Sequence, residues 1–504
     1  MKICILQSSY ENSNAPFAKF DPYCEPQFYY KNVQHNHTFQ TALISKSKAS
    51  QQIRDLAREG FDVFINLCDG AFDEDRAGKE VVQLLEYYNQ AFTGADLNFY
   101  EPSKELMKMI AYYYGVKTPA FIFAYTDADV EEAIGNLRFP MIVKHYNGYS
   151  SVGMTRDSRC TTPEQLRTQA SKMIAEYGGA LIEEFIEGRE FTVLVTENAD
   201  DPSNPIALLP VECKFGNGET FKHFDLKWKE YNNIKWVKCT DDVLAEKMKE
   251  LSKKVFVGLG GVGYGRTDIR VDANGEPYFL EINPNCGIFY PAPPDDPDAL
   301  GSADFILLND SMGHVGFIEH IMKCAIARQR KKIKKVEVRF KPSTGYALFA
   351  HTDIKKGEVV IQYEEKPHNL VTKEYVEKHW TDPLKKRWFD MYAYPYTDSV
   401  FGMWSEDPQQ WRQINHSCDP NAWLEGLNIV ARTDIPKNAQ ITVDYATFCA
   451  TTMEEFKCAC GAAKCRGTVK PTDYLLPEVG SVYEGHLSDY VLTKRKQLFA
   501  DSKN

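Results

Sequence analysis

Hydrophobic positions in the first 320 residues follow two alternating patterns. Short β-rich runs, ICILQ at 3–7 and FDVFINL at 61–67, alternate with helical patterns at 51–60 and 78–90. Apolar residues that recur every three or four positions indicate one face of a helix, whereas short apolar runs bounded by turn residues indicate strands. This part of the chain is therefore predicted to be α/β or α+β.

The pattern changes after a basic stretch at 323–336. We interpret this stretch as the solvated end of a helix that leads into a linker, and the alternative is a binding patch. Beyond it, short strands broken by turn residues, as at 345–363 and 426–445, predict a mostly β domain. The polar tail after about residue 472 is predicted to be a docked helix or a frayed end.

Composition restricts the classes of function. A chain of 504 residues suggests about three or four folding units. The formal charge is -11 with both signs interspersed, so no basic stripe favours a direct nucleic-acid partner. No run approaches the roughly 18 apolar residues of a membrane span, and the first run is read as a core strand and not as a secretory signal. Most cysteines are isolated in apolar surroundings, which predicts reduced thiols in a soluble, cytoplasmic or nuclear protein.

Polar side chains at strand ends suggest a phosphate and metal site. Lys144 ends a β run before a loop with Ser150 and Ser151, which can close over phosphates, although a merely solvated lysine is the alternative. Two later strands joined by an Asn-Gly turn carry Arg266, Asp268, Glu281 and Asn283. Alternation along paired strands projects the last three toward one site. Such oxygen ligands suit Mg²⁺ with nucleotide phosphates, and surface carboxylates on a hairpin are the alternative.

These blocks, with ALIEEFIEGREFTVLV at 180–195 between them, resemble the ATP-grasp superfamily and its D-alanine–D-alanine ligase branch over residues 55 to 290. The resemblance implies an N-terminal, a central and a C-terminal subdomain, with ATP between the last two. It also implies roles for individual residues. Lys104, Lys144 and Lys227 are expected to contact phosphates, with Ser150 and Ser151 in the covering loop. Glu183 is expected to contact the adenine and Glu190 the ribose. Asp268, Glu281 and Asn283 are expected to bind Mg²⁺, and Arg266 is expected to stabilise the transition state.

The implied reaction phosphorylates a substrate carboxylate and then lets an amine displace phosphate to form an amide. The segments in which the family holds D-alanine have no clear match at 6–26 and 285–294. We therefore expect an amino acid or a peptide end of another kind.

Cysteines and a tyrosine form a second constellation. Cys458, Cys460 and Cys465 have the spacing C-x-C-x₄-C, and Cys418 in NHSCDPN is the obvious fourth ligand of a tetrahedral zinc ion. A disulfide or redox pair is the alternative, which the reducing compartment disfavours.

These motifs resemble the SET domain with its post-SET zinc module, from about residue 336 to 470. The resemblance implies binding of S-adenosylmethionine near Tyr346, Asn415 and His416, with Tyr445 as the catalytic tyrosine and an amine such as a lysine as the methyl acceptor. Ala347 replaces the second glycine of the family's Gly-x-Gly strand. Without these motifs, Tyr445 would be read as a packed strand tyrosine.

The predicted fold class is multidomain α+β, an ATP-grasp fold followed by a mostly β SET domain. The predicted segments are the N-terminal α/β subdomain at 1–100, the central and C-terminal ATP-grasp subdomains at 101–320, a linker at 321–335, the SET domain at 336–448, the post-SET module at 449–470 and a tail at 471–504. We expect a bifunctional ligase and N-methyltransferase. The alternatives are a protein lysine methyltransferase whose ATP-grasp part only binds substrate or nucleotide, and a scaffold with two inactive folds. The sequence leaves the oligomeric state open, a dimer included.

Overall fold

The protein forms two compact units, Met1–Lys332 and Ile333–Asn504. The structure is a computed structural model that describes residues 1–11, 13, 23–71, 74–230, 233–284, 286–292, 300–332, 335–342, 345–364, 369–403 and 412–501. Both units mix helices and strands, which confirms the predicted multidomain α+β class. In these described residues, no helix is long and apolar enough to cross a bilayer.

A small parallel sheet opens the first unit. Its elements are β1 (Lys2–Ser8), β2 (Thr38–Ile44), α1 (Ala49–Ala57), β3 (Val63–Leu67) and α2 (Lys79–Tyr87). Strand β1 lies between β2 and β3 and pairs with both in parallel. Because parallel strands end at the same edge of a sheet, the chain leaves β1 and β3 on the same side.

The second sheet is antiparallel, and its alternation aims polar side chains at a common face. Its elements are α3 (Lys104–Tyr113), β4 (Phe121–Ala124), α4 (Asp127–Asn136), β5 (Met141–His145), β6 (Arg159–Cys160), α5 (Pro163–Tyr177) and β7 (Ala180–Glu184), with strand order β4–β7–β5–β6. Val143 and Ile182 pack in a core with residues of α4 and α5. Since successive side chains of a strand point to opposite faces, Lys144 and Glu183 point away from that core.

A larger sheet follows and supplies the predicted metal ligands. Its elements are β8 (Arg189–Thr196), β9 (Ile206–Ala207), β10 (Val211–Phe215), α6 (Phe224–Trp228), β11 (Ile234–Lys238), α7 (Asp242–Gly258), β12 (Tyr264–Val271) and β13 (Pro277–Pro284), with strand order β11–β10–β8–β12–β13 and β9 beside β8. Strands β12 and β13 pair Arg266 with Asn283 and Asp268 with Glu281. Directly paired residues share a face of the sheet, so all four side chains lie on one side.

Two helices complete the first unit, α8 (Ser302–Asn309) and α9 (Gly313–Lys332). Helix α9 continues through 321–332, which is the larger part of the segment predicted to be a linker. Ile321, Met322 and Ala325 are buried in the core of the first unit. The prediction of a linker at 321–335 is therefore corrected. The basic residues of this segment alternate with apolar residues at helical spacing, which the prediction overlooked. The division between the units lies after Lys332.

The second unit combines short strands with helices. Its elements are β14 (Val336–Lys341), β15 (Gly345–Ala350), β16 (Val359–Ile361), β17 (Asn369–Thr372), α10 (Lys373–His379), α11 (Pro383–Tyr392), β18 (Tyr394–Pro395), β19 (Val400–Met403), β20 (Asn415–His416), β21 (Ala422–Glu425), β22 (Asn428–Ala431), β23 (Thr442–Val443), β24 (Phe456–Lys457), β25 (Thr468–Val469), α12 (Pro477–Val482) and α13 (Asp489–Asp501). Strands β15, β16, β22 and β23 share one hydrophobic core. The predicted strands are present, whereas helices α10 and α11 were not predicted.

The tail is a docked helix and not a frayed end. Tyr490 and Val491 of α13 are buried against Ala450 and Tyr474. Just before α13, the backbone N–H of Ser488 donates to the Thr447 carbonyl at 2.8 Å. Residues 502–504 of the predicted tail lie outside the described residues.

Replacing Gly78 by alanine should destabilise the first unit. A Cβ at Gly78 would overlap the Gly70 carbonyl oxygen and lie 2.5 Å from the Tyr100 hydroxyl oxygen. We expect G78A to lower the free energy of unfolding by about 1–3 kcal/mol, the usual cost of overpacking. In G135A the added methyl group meets open space, so this control should be neutral or slightly stabilising. Calorimetric melting curves that place G78A at or above the wild type would contradict this packing.

Candidate active sites

A cavity of about 540 Å³ lies in the first unit and lies within the size range of small-molecule sites. It brings together every residue that the sequence predicts for nucleotide and magnesium binding. Its lining includes Lys104, Lys144, Ser150, Ser151, Glu183, Glu190, Lys227, Arg266, Asp268, Glu281 and Asn283. These side chains come from α3, from α6, from two sheets and from the loop after β5, and they bring lysines and carboxylates into one cavity.

The predicted metal ligands form one corner of this cavity. Asn283 donates from Nδ2 to Asp268 Oδ2 at 3.3 Å. The other oxygen of Asp268, Oδ1, is buried and accepts no hydrogen bond among the described residues, although Arg266 Nε and Lys222 Nζ lie 3.6 and 3.7 Å away. A buried carboxylate oxygen without a hydrogen bond beside a second carboxylate is suited to a hard cation. The donor set therefore fits Mg²⁺.

Lysines line the cavity next to this corner. Lys104 forms an ion pair with Glu281. Lys222, which the sequence analysis did not single out, lies 3.0 Å from Glu190. Burial, together with the positive charges of Arg266 and Lys222, lowers the pKa of Lys227 to about 8. A phosphate group beside Lys227 would oppose all of these effects, so the lysine set fits a polyphosphate.

The loop after β5 lies over the lysines. Ser150 and Ser151 have positive φ values of 58° and 59°. Ser151 Oγ donates to the Lys222 carbonyl at 3.2 Å, and Trp228 Nε1 donates to the Ser150 carbonyl at 3.3 Å. Hydrogen bonds to residues 222–228 therefore hold this loop against the cavity.

The predicted adenine end depends on a buried ion-pair cluster. Glu183 forms ion pairs with Lys144 at 2.6 Å and with Lys108, and its side chain is 1% exposed. Burial alone would raise the pKa of Glu183, but the two lysines outweigh burial and hold the pKa at about 2. Glu183 is therefore an anion that can accept a hydrogen bond from an amino group.

In the second unit, the predicted catalytic tyrosine lies beside a parallel strand pair. Strands β20 and β23 pair Asn415 with Thr442 and His416 with Val443. The hydroxyl of Tyr445 donates to the Ile414 carbonyl at 2.9 Å. Burial raises the pKa of Tyr445 above its ordinary value, so the phenol stays neutral. Asn415 Nδ2 is buried with no hydrogen-bond partner among the described residues, which leaves a donor for a carboxylate or carbonyl group such as the cofactor carries.

The predicted zinc ligands form one cluster. The Sγ atoms of Cys418, Cys458, Cys460 and Cys465 lie within 4.8 Å of one another. The Cys418 and Cys458 sulfurs are 3.9 Å apart. Zn–S bonds of about 2.3 Å in a tetrahedron separate sulfurs by about 3.8 Å. The cluster therefore fits a structural zinc ion.

Comparisons with known proteins agree with these two sites. The family described as D-ala D-ala ligase C-terminus matches residues 111–290, and the SET domain family matches residues 345–446. The chain joins a ligase-type ATP-grasp domain to a SET domain. The first match lies within the first unit and the second within the second unit.

Curated relatives match the ligase half. The D-alanine–D-alanine ligase of Bordetella avium is 29% identical over 258 residues, which cover 50% of this chain and 75% of that protein. The enzyme of the same name from Pseudomonas fluorescens is 30% identical over 203 residues, covering 40% of this chain and 59% of that protein. Among solved structures, D-alanine–D-alanine ligase from Bacillus anthracis complexed with ATP has 17% identity and a TM-score of 0.47, and covers 66% of this chain and 99% of that chain.

The SET match includes Asn415, His416, Cys418 and Tyr445 but ends before the other three cysteines. For one predicted residue of the SET domain, Tyr346, the described contacts involve a neighbouring strand. The ring of Tyr346 packs on Phe340 and is 58% exposed. Among the described residues, no hydrogen bond or ring contact joins it to Asn415 or Tyr445, so its predicted role in cofactor binding stays a prediction.

Several residues that line the ligase cavity or form ion pairs with its lining escaped the sequence analysis. Lys108 lies four residues after Lys104, on the same face of α3, and this spacing is a signal that was available. Arg270 Nη1 bonds Glu190 Oε2 at 3.0 Å, and its position two residues after Asp268 was likewise a signal.

The far end of the cavity carries another unpredicted group. Arg76 donates to Asp69 at 2.8 Å and to Glu74 at 2.7 Å, and all three residues line the cavity with Tyr290. Tyr290 belongs to the segment in which the sequence departs from the ligase pattern. Of the two departing segments, residues 12, 14–22, 285 and 293–294 lie outside the described residues.

Replacing Glu183 by glutamine should strongly destabilise the ligase half. Lys108 and Lys144 would lose their buried counter-charge, which typically costs about 3–5 kcal/mol. Because the folded pKa of Glu183 lies below its unfolded value of about 4.5, its contribution is present above that pH and is lost as the pH falls toward about 2. Melting temperatures of E183Q and wild type should therefore differ most above about pH 4.5 and converge as the pH falls toward about 2.

The matched control is E131Q, which breaks an ion pair with Arg167 whose side chains are 54% and 46% exposed. This variant should have the same melting temperature as the wild type at every pH. Equal melting temperatures for E183Q and E131Q at pH 7 would show that the buried cluster is not needed for stability.

Proposed function

We propose that the protein is a bifunctional enzyme. Its first activity is ATP-dependent ligation of a carboxylate to an amine through an acyl phosphate, and its second is transfer of a methyl group from S-adenosylmethionine to an amine. The observation that carries the proposal is that Lys104, Lys144, Lys222, Lys227 and Arg266 converge with the Asp268–Glu281–Asn283 corner in one cavity, and that Tyr445 is intact in the second unit. The substrates are amino acids or peptide ends of a kind other than D-alanine.

In the ligase half, the chain's own residues supply charge and position. Bound Mg²⁺–ATP would supply the phosphoryl group and a Lewis acid. Asp268, Glu281 and Asn283 would hold the ion, while Lys144 and Lys227 would neutralise phosphate oxygens. Arg266, 3.6 Å from Asp268, is near enough to stabilise the negative charge that develops when the amine attacks the acyl phosphate.

In the SET half, catalysis would depend mainly on positioning the methyl donor and the amine. Bound S-adenosylmethionine supplies an electrophilic methyl group, which an amine can accept only when it is neutral. The neutral hydroxyl of Tyr445 and the neighbouring carbonyl of Ile414 form a polar rim that can orient the methyl group. Asn415 and the backbone of His416 would bind the cofactor.

Point variants should separate the two activities. D268N should lower amino-acid-dependent ADP release by about 100-fold or more, because the metal corner loses a charged ligand, while methylation is retained. Y445F should lower methyl transfer by about 100-fold and leave ADP release unchanged. D200N and Y375F, at exposed positions of the first and second units, are the matched controls.

The assay is mass spectrometry of a metabolite extract incubated with the protein, ATP and S-adenosylmethionine, with ADP measured in parallel. Products with mass shifts for both condensation and methylation, each lost in the appropriate variant, are the expected result. Methylated polypeptide lysines without ADP release from any amino-acid mixture would instead favour a lysine methyltransferase with a substrate-binding ATP-grasp part. Unaltered cellular function in D268N and Y445F would favour a scaffold.

Zinc should copurify at one ion per chain, since one cluster of four thiols is described. C418S should lose most of this zinc in a metal analysis by mass spectrometry. C449S should keep it, because Cys449 is a free cysteine outside the cluster. Full zinc content in C418S would contradict the predicted ligand set.

A further inference from the structure

Arg466 is the residue that connects the cysteine cluster to the segment of the catalytic tyrosine. Its backbone N–H and its Nε both donate to Cys418 Sγ, at 3.3 and 3.4 Å. The same guanidinium donates to Asp444, the residue before Tyr445. Its remaining nitrogen, Nη1, lies 3.2 Å from Asp473 in the C-terminal segment. One side chain, 16% exposed, therefore joins the zinc module, the catalytic turn and the C-terminal segment.

A second connection runs through His416. The backbone N–H of Tyr445 donates to His416 Nδ1 at 3.2 Å. Nδ1 is therefore the acceptor nitrogen, and in the neutral ring the proton sits on Nε2. Nε2 lies 3.2 Å from Cys418 Sγ and donates to it. Arg466 Nη2 lies farther from Nε2, at 3.5 Å, and its shorter bond goes to Asp444.

Both connections end on the sulfur of Cys418 and strengthen when a metal ion holds that sulfur as a thiolate. A neutral thiol is a weak acceptor, whereas a thiolate held by a metal ion accepts strong, charge-assisted hydrogen bonds. Four thiolates around Zn²⁺ carry a net charge of about −2, which a guanidinium cation compensates. Zinc binding would thus tighten the bonds from Arg466 and His416 to sulfur, and with them the positions of Asp444 and Tyr445.

We propose that Arg466 is a positioning residue that couples zinc binding at the cysteine cluster to cofactor binding and to the alignment of Tyr445. This inference rests on the proposed methyltransferase function of the second unit. It adds a role for a residue that is neither a zinc ligand nor in contact with the methyl acceptor.

The test measures thermodynamic coupling without any methyl acceptor. Zinc affinity of the full-length protein is determined by competition with a chromophoric chelator, with and without saturating S-adenosylhomocysteine. In the wild type, the product should raise zinc affinity about fivefold or more. R466M should lower zinc affinity by about 10- to 100-fold, as loss of a partner that hydrogen-bonds a metal ligand typically does, and should bring the fivefold ratio close to one.

Two further variants make the test specific. R432M is the matched control, because Arg432 donates to Asp419 and to the Pro420 carbonyl, both at 2.8 Å, and not to the sulfurs. It should keep the wild-type ratio. D444N retains Arg466 but weakens its anchor next to Tyr445, so it should keep most zinc affinity and lose the coupling. If R466M does not fold, R466K takes its place, since a lysine cannot bridge Cys418 and Asp444 at once.

The outcomes are distinct. Wild-type zinc affinity or a wild-type ratio in folded R466M or R466K would overturn the inference, as would full coupling in D444N. A purely structural Arg466 would lower the melting temperature and leave both zinc measurements unchanged. If the wild type binds zinc but not S-adenosylhomocysteine, the methyltransferase function fails, while the zinc affinity of R466M still decides whether Arg466 acts on the cluster.

Discussion

Charge balance in the ligase cavity is the constraint on which the first unit depends. A buried lysine or carboxylate is costly unless it is paired. The cavity pairs Lys104 with Glu281, Lys144 with Glu183, and Lys222 with Glu190. Glu281, which is predicted to hold the metal, therefore also neutralises Lys104, which is predicted to hold a phosphate, while the carboxylates predicted to meet adenine and ribose neutralise the other two lysines. Binding of a metal nucleotide would exchange partners at the first pair, Glu281 turning to the cation and Lys104 to a phosphate, so both buried charges would keep a partner of opposite sign.

This exchange requires the charged side chains to be held at fixed positions, and the strands of the two sheets hold them there. The period of two along a strand sends Lys144 and Glu183 to the face opposite the core formed with α4 and α5. The pairing of β12 with β13 does the same for Asp268 and Glu281. The covering loop with Ser151 is the adaptable part, held by bonds to residues 222–228. The strands thus fix the positions of the charged side chains, and the loop with Ser151 lies against the cavity that they line.

Features that depend on residues close together in the sequence could be predicted, whereas features that depend on residues far apart in the sequence could not. Alternation over a few residues predicts the Asp268–Glu281–Asn283 corner, and close spacing predicts the cysteine cluster. Lys108 meets Glu183 across 75 positions, and no local pattern announces that pairing. Helix α9 was cut short in the prediction because its basic residues mask its buried face. Tyr346 was assigned by resemblance alone, and because its ring contacts Phe340 and no other predicted site residue is shown against it in the described part of the chain, its role in cofactor binding stays a prediction.

Under the proposed function, both halves have one requirement in common, a neutral amine at the reacting centre, although the ligands of their predicted metals differ. Ligation needs the amine to attack an acyl phosphate, and methyl transfer needs it to attack a sulfonium methyl group, so a protonated amine is inert in both. Oxygen ligands suit the hard cation that activates phosphate, whereas thiolates suit a structural ion that only braces a pocket. The two metals would therefore have different roles. Magnesium would activate the electrophile of the first reaction, and zinc would stabilise the structure around the site of the second. If both proposed activities hold, an amine-bearing substrate is the chemical class that the two sites would share.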